Sequence, residues 1–280
     1  MAKKIWLIIA AALTVGGLLL FTIVMTVGGW DFAKLGTVEL ETNTHEITED
    51  FNGISIDTET SDVVFLPSED GKCRVVCYEN VKAKHKVEVI DGVLKIEVNN
   101  TRKWTDYIFN VSFSSPKLTV YLPRAEFDSI RVNTATGRIE LSNLSLNSLD
   151  LSVTTGNISV SGVTCTGKVK IETTTGDIKL TSLNCRELKI DGTTGKATLK
   201  SVIASERLSV KLTTGDIKLT GCDGDSLSLK TTTGSITGTL LSDKIFAATA
   251  TTGSVRVPDT KSGGLCEIKT TTGDIKISID

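Results

Sequence analysis

The chain has 280 residues, 40% hydrophobic and 23% charged, with a formal net charge of −2. That apolar fraction suffices for an ordinary core. It excludes collagen-like, Pro-rich and disordered classes, since there are only 4 Pro and 24 Gly. The near balance of 31 Lys+Arg against 33 Asp+Glu argues against a nucleic-acid partner. His45 and His85 are the only histidines, which leaves little room for a His-based metal or catalytic centre.

After Lys3 and Lys4 no charged residue appears until Asp31. The run from Ile5 to Val27 would form a helix about 35 Å long at ~1.5 Å per residue, enough for a ~30 Å hydrocarbon core. Trp6 and Trp30 bracket it, and the lysines lie on its N-terminal side. This predicts a cytoplasmic tip and transmembrane anchor over 1–30 with the body outside. A cleaved signal peptide is the competing reading. Its apolar region is usually shorter, about 7–15 residues, and no clear Ala-x-Ala site follows here. Either reading makes the body extracytoplasmic. Residues 31–50, polar and rich in Thr and Glu, read as a spacer.

Residues 51–127 alternate apolar and polar without a fixed period, as in Phe51–Asp57 and Gly92–Val98. Trp104, Tyr107, Phe109, Phe113, Tyr121 and Phe127 gather here, whereas Phe246 is the sole aromatic beyond 128. An irregular cap with large side chains plugging one end of a longer structure is the expectation.

From 128 to 280 a Thr-Gly step recurs at Gly137, Gly156, Gly176, Gly195, Gly215, Gly234, Gly253 and Gly273, every 19 or 20 residues. Apolar residues alternate on both sides of each glycine, the signature of strands with one buried face. Two positions after the glycine stand Ile139, Ile158, Ile178, Ala197, Ile217, Ile236, Val255 and Ile275. A strand–turn–strand unit cannot bury that face alone, but stacked copies can. The prediction is an all-β, right-handed parallel β-solenoid of about eight coils, with an antiparallel sandwich as the lesser option. Gly192 and Gly238 interrupt the apolar rows and read as weak points.

The segment Ser61-Asp-Val-Val-Phe-Leu-Pro-Ser-Glu-Asp, the Val120-Tyr-Leu-Pro-Arg stretch and the recurrent Thr-Thr-Thr-Gly-Asp-Ile resemble the DUF4097 family of bacterial β-strand-repeat proteins. The resemblance spans roughly 50–280. It implies a solenoid-like all-β fold and an adhesin-type surface location, and it brings no catalytic residues.

Candidate chemistry is sparse. The repeat places Asp223, Asp225 and Asp243 near one another on a loop edge, where three carboxylates could take Ca²⁺; solvated turn residues are the plainer reading. Cys165 and Cys185 occupy one position of adjacent coils, within reach of a disulfide. Leu146 and Ala204 fill that position in the flanking coils, which favours buried free thiols. Outward lysines such as Lys170, Lys189 and Lys230 read as solubility and edge protection. There is no convergent acid set of the kind polysaccharide-active β-helices need, no nucleophile elbow, no phosphate loop and no cofactor motif.

These readings converge on a non-catalytic, adhesin-like binding or scaffold module at the cell envelope. Its expected partner is an envelope polymer or a membrane protein, with no nucleic acid. An envelope-stress or regulatory accessory acting through a membrane partner is the alternative, and a polysaccharide-active enzyme the lesser one. The chain stops at Asp280 directly after a strand, so the last coil is expected to offer an open edge for self-association.

Overall fold

The computed structural model describes residues 2–27, 29–30, 38–103 and 115–280. One apolar helix, Ala2–Val27, precedes a β-solenoid of about eight turns, and strands make up 68% of the whole. The helix is long and apolar enough to cross a membrane, with a mean hydropathy of 2.6 over its best window.

Each coil has two faces joined at the Thr-Gly step. Strands before the glycine stack in parallel register, Ile130 beside Leu149 and Leu149 beside Val169. Strands after it do the same, Ile139 beside Ile158 and Ile158 beside Ile178. The inward rows of both faces form one continuous core from Ile54 to Ile277. Each buried Ile or Leu contributes roughly 1.5–3 kcal/mol before the entropy cost of ordering it.

The stacked glycines explain the invariance of the step. Gly176 has φ +151°, and a Cβ there would lie 1.9 Å from the Gly156 carbonyl oxygen. The same close approach repeats from Gly137 to Gly273, so no larger residue fits the corner. The residue after the glycine ties neighbouring coils together. Asn157 accepts a hydrogen bond from the Asp177 N–H, and Asp177 accepts one from the Lys196 N–H, each at 2.8 Å. A second corner falls six residues past the glycine, where Asn143, Ser182 and Ser201 adopt φ of 51–54°.

The two interruptions in the core rows turn out to be close-packed. The Leu212 side chain leans into the space beside Gly192, and Gly238 brings its backbone against the Leu219 carbonyl. At each place an atom of a neighbouring coil stands within 3 Å of where a side chain would begin.

The coils do not stack in sequence order at either end. Gly53–Thr60 and Asp62–Pro67 lie between the coil of Val93–Asn100 and Lys117–Leu122 on one side and the Gly137 coil on the other. At the far end the Gly273 coil is interpolated: its strands pair with those of the Gly234 coil on one side and the Gly253 coil on the other. Gly263 and Gly264 make this passage possible. A Cβ at Gly264 would strike the Asp225 carbonyl at 1.6 Å, and one at Gly263 the Asp243 carbonyl at 1.8 Å. The chain here threads between two coils with no room for side chains. The C-terminal strand Ile275–Ile279 pairs along its length with Ile236–Leu240 on one flank, while on the other only Ile275 and Lys276 pair, with Val255 and Arg256, so the Gly253 coil lies outside it.

The start of the rod also departs from expectation. Within the predicted spacer, Leu40–Ile47 forms a strand antiparallel to Cys73–Asn80, because Glu41, Asn43, His45 and Ile47 alternate onto one face. Cys73–Asn80 pairs antiparallel with Lys117–Leu122, and Ala83–Ile90 with Val93–Asn100. Of the aromatic group expected in the cap, Trp104, Tyr107, Phe109 and Phe113 lie outside the described residues. Phe127 stacks on Phe51 with centroids 6.1 Å apart, and Tyr121 lies under the Arg74 guanidinium.

Candidate functional site

Three places gather chemistry: a groove at the Asp223 corner, a buried polar cluster at the antiparallel end, and the exposed face of the Gly253 coil.

The groove, about 580 Å³, is lined by Asp223, Asp225, Ser242, Asp243, Lys244 and Gly263, among others. The three acids predicted to approach one another do line one surface. The position a cation would fill is taken by the Lys244 ammonium, whose side chain is only 4% exposed and whose Nζ lies 2.7 Å from Asp223 Oδ1. Ser242 receives a hydrogen bond from the same ammonium and donates to Asp223 at 3.0 Å, and the Gly224 N–H donates to Asp223 at 2.8 Å. Burial alone would raise the Asp223 pKa. The bonds from Lys244, Ser242 and Gly224 outweigh it and leave the carboxyl below its ordinary value. The Asp243 carboxylate accepts a long bond from Ser262 and its backbone carbonyl one from Lys244 Nζ, each at 3.4 Å. The arrangement is an internal ion pair that fastens the start of the terminal strand to the Gly215 coil.

Sequence reasoning missed the second place. Cys77, Glu79 and His85 are buried with their ligand atoms within 4.8 Å of one another, so they are the described residues best placed to hold a metal ion. Glu79 accepts from the His85 backbone N–H and pairs with His85 Nδ1, both at 2.6 Å. Its other oxygen accepts from Asn43 at 2.8 Å. His85 Nε2 lies 2.9 Å from Thr58 Oγ1. Burial opposes the charge on Glu79, but the bonds from His85 and Asn43 prevail and its pKa is lowered. Burial and the neighbouring Glu79 charge push the Cys77 thiol up to about 12. Both oxygens of the carboxylate and both ring nitrogens of the imidazole are thus engaged, and the thiol is neutral. The cluster works as a closed hydrogen-bond network beneath the antiparallel strands. The sequence signal was Glu79 and His85 six residues apart on the two arms of the tight turn at 81–82, a hairpin that the period-free stretch concealed.

All six cysteines are free and buried. Cys165, in the coil beside that of Cys185, donates weakly to the Asn147 carbonyl at 3.2 Å. Burial pushes Cys73, Cys185 and Cys266 up to about 12, as it does Cys77.

Several outward lysines form ion pairs, some along one strand and some between neighbouring strands. Lys170 meets Glu172 and Lys189 meets Asp191, while Lys230 and Lys269 share Glu267. Hydrogen bonds from those two lysines hold Glu267 down to about 2.

Stacked parallel coils around a continuous, mainly aliphatic core, with outer faces rich in Thr, Ser and Lys, define a β-solenoid protein. The chain belongs to the Toastrack DUF4097 family, whose model matches residues 51–237 and 202–280. Its fold is shared by a "putative adhesin" from Bacteroides fragilis NCTC 9343, with 18% identity, a TM-score of 0.55 and coverage of 86% of this chain and 97% of that one. A second protein so described, from Parabacteroides merdae ATCC 43184, is 18% identical with a TM-score of 0.47, covering 87% of this chain and 98% of its own. No curated protein matches the chain.

Proposed function

We propose that this protein is a non-catalytic, adhesin-like binding module, held at the bacterial cell membrane by Ala2–Val27 and presenting its solenoid outside. The observation that carries the binding reading is the state of the assembled polar groups. Asp223 is closed by Lys244, and Glu79 by His85 and Asn43. A hydrolase needs an acid free to exchange protons with substrate; the buried acids of these two clusters are already bonded, and the presented surface carries ladders of Thr and Ser with lysine–carboxylate pairs such as Lys170–Glu172. Such ladders suit a repetitive envelope polymer.

Two measurements on the full chain in its native membrane test this. An intact N-terminus in the membrane fraction, with the body open to external protease, supports the anchor; a soluble body beginning beyond Val27 overturns it. Salt-sensitive retention on isolated wall polymer supports the adhesin-like role. Capture of a single membrane protein favours an accessory role instead. Gly16 and Gly17 leave open space on the helix for such a span to approach, and replacing Ile5–Val27 by an unrelated anchor would then abolish function.

A further inference from the structure

The Gly253 coil ends the rod, and its edge is unlike any other strand of that face. Lys244–Thr252 pairs with Gly264–Thr272 on one side and, among the described residues, with nothing on the other. Its inward row of Phe246, Ala248 and Ala250 packs on the core yet stays partly open to solvent, and Val255 is 41% exposed. Beyond Lys244, which is turned into the Asp223 corner, no charged residue occurs until Arg256. Every covered strand of the face carries outward charge, such as Lys170 with Glu172, or Glu267 with Lys269. Edge strands are normally guarded by charge, Pro or a bulge. The opposite end obeys that rule, with Lys84 paired to Glu41 and Lys86 to Glu88 on its edge strand. Here the guard is placed on the strands that do not need it and withheld from the one that does.

We propose that this edge is a docking site for a second copy of the same chain, joined by a two-fold axis through Ala248 with the strands antiparallel. Three features select that occupant. Ala248 is the midpoint of Lys244–Thr252, so this register overlaps the entire strand. It sets Phe246 of each copy opposite Ala250 of the other, large against small in the half-open inward row, with Ala248 meeting itself. On the outward face Ala247 meets Thr249 and Ile245 meets Thr251, so no like charges oppose one another. The charge-guarded opposite end offers no such match. The two open cores would then close on each other, as an isologous contact requires. The inference does not depend on how the helix is held.

The test uses the full chain in detergent, with mass measured by light scattering over a concentration series. A concentration-dependent dimer is expected, weakened at least about tenfold by Ala247→Lys, which sets an added charge on the exposed outer side of the edge. Ala248→Cys should cross-link under mild oxidation, because directly opposed residues of antiparallel strands lie within about 4.5–5.5 Å. Ile90→Cys at the opposite end should not. A monomer at all concentrations overturns the proposal. So does a dimer that ignores Ala247→Lys and forms no cross-link at 248, which would assign association to the helix.

Discussion

The two ends of this solenoid solve one problem in opposite ways. A stack of parallel coils exposes a cross-section of core and a strand edge at each terminus. At the N-terminal end the sheet direction reverses. Antiparallel strands cover the last coil, charged pairs line the edge, and a buried Glu–His–Thr network locks the layer below. At the other end the final coil by sequence is drawn back inside the rod, and the coil left outermost carries a bare strand with no charge beyond Lys244. One end is finished as a cap and the other as a surface. Capping is thus a matter of strand direction and charge, and position in the sequence does not decide which coil is last.

The largest effect should come from the regular middle, against which both ends are to be judged. Gly176→Ala forces a Cβ onto the Gly156 carbonyl at a φ that L residues rarely adopt. Denaturant melts should show a loss of at least about 3 kcal/mol. Gly71, with φ +72° and nothing within 4 Å, is the control: Gly71→Ala should cost only about 1 kcal/mol. Equal losses would mean that conformation alone, and not coil-to-coil contact, dictates the Thr-Gly step.

Core truncations come next and separate the middle from the bare end. Ile190 is fully buried between two coils, so Ile190→Ala should cost about 3 kcal/mol. Phe246 is larger but only half-buried, and Phe246→Ala should cost about 1 kcal/mol when measured on the monomer. If the two costs matched, the terminal coil would be as well sealed as the interior, contrary to its exposure.

Much of this was legible from residues alone. The Thr-Gly spacing and the rows at Ile139, Ile158 and Ile178 state the coil, its period and its buried face, because a repeating steric requirement leaves a repeating residue. Stacking order left no such mark, since every coil presents the same corner and the same rows and fits any slot equally well. Only the Gly263-Gly264 pair records the interpolation, through backbone contacts that no side chain could survive. Lys244 was hidden for a related reason. Lysine beside Asp243 reads as a solvated loop, and its burial becomes visible only once the Gly215 and Gly253 coils are placed. The strand Leu40–Ile47 was concealed by its polarity: its inward row includes Asn43, which bonds Glu79, and His45, which lies beside Val75.

The antiparallel end has its own signature in pH. The Glu79 carboxyl lies below its ordinary 4.5 in the folded chain, so its contribution is complete above that value. It is lost as the pH falls through the lowered folded value. Glu79→Gln should cost about 2 kcal/mol at neutral pH, the scale of hydrogen bonds to a buried charge. The difference from the parent should shrink on acidification below 4.5, read from thermal melts between neutral pH and strong acid. A penalty independent of pH would show that Gln disrupts packing, and that the network's charge does not hold this end.

The smallest expected effect is a null comparison, and it bears on the interpolated coil. Burial holds both Cys185 in the middle and Cys266 in the Gly273 coil near 12, so neither supplies appreciable thiolate at neutral pH. Labelling by a maleimide therefore reports opening. Were the last coil a simple C-terminal flap, Cys266 would label well before Cys185, as fraying ends do. Its flanking partners argue otherwise. Cys266 lies between Leu227 and Phe246, with hydrogen-bonded strands on both sides, and leaving the slot means breaking two ladders at once. Cys266 should label no faster than Cys185 in the native protein. Faster labelling would mean that the chain beyond Pro258 can withdraw and leave the Gly234 and Gly253 coils to meet directly. The outermost coil would then be a choice between two stacking orders, and the docking edge a property of only one of them.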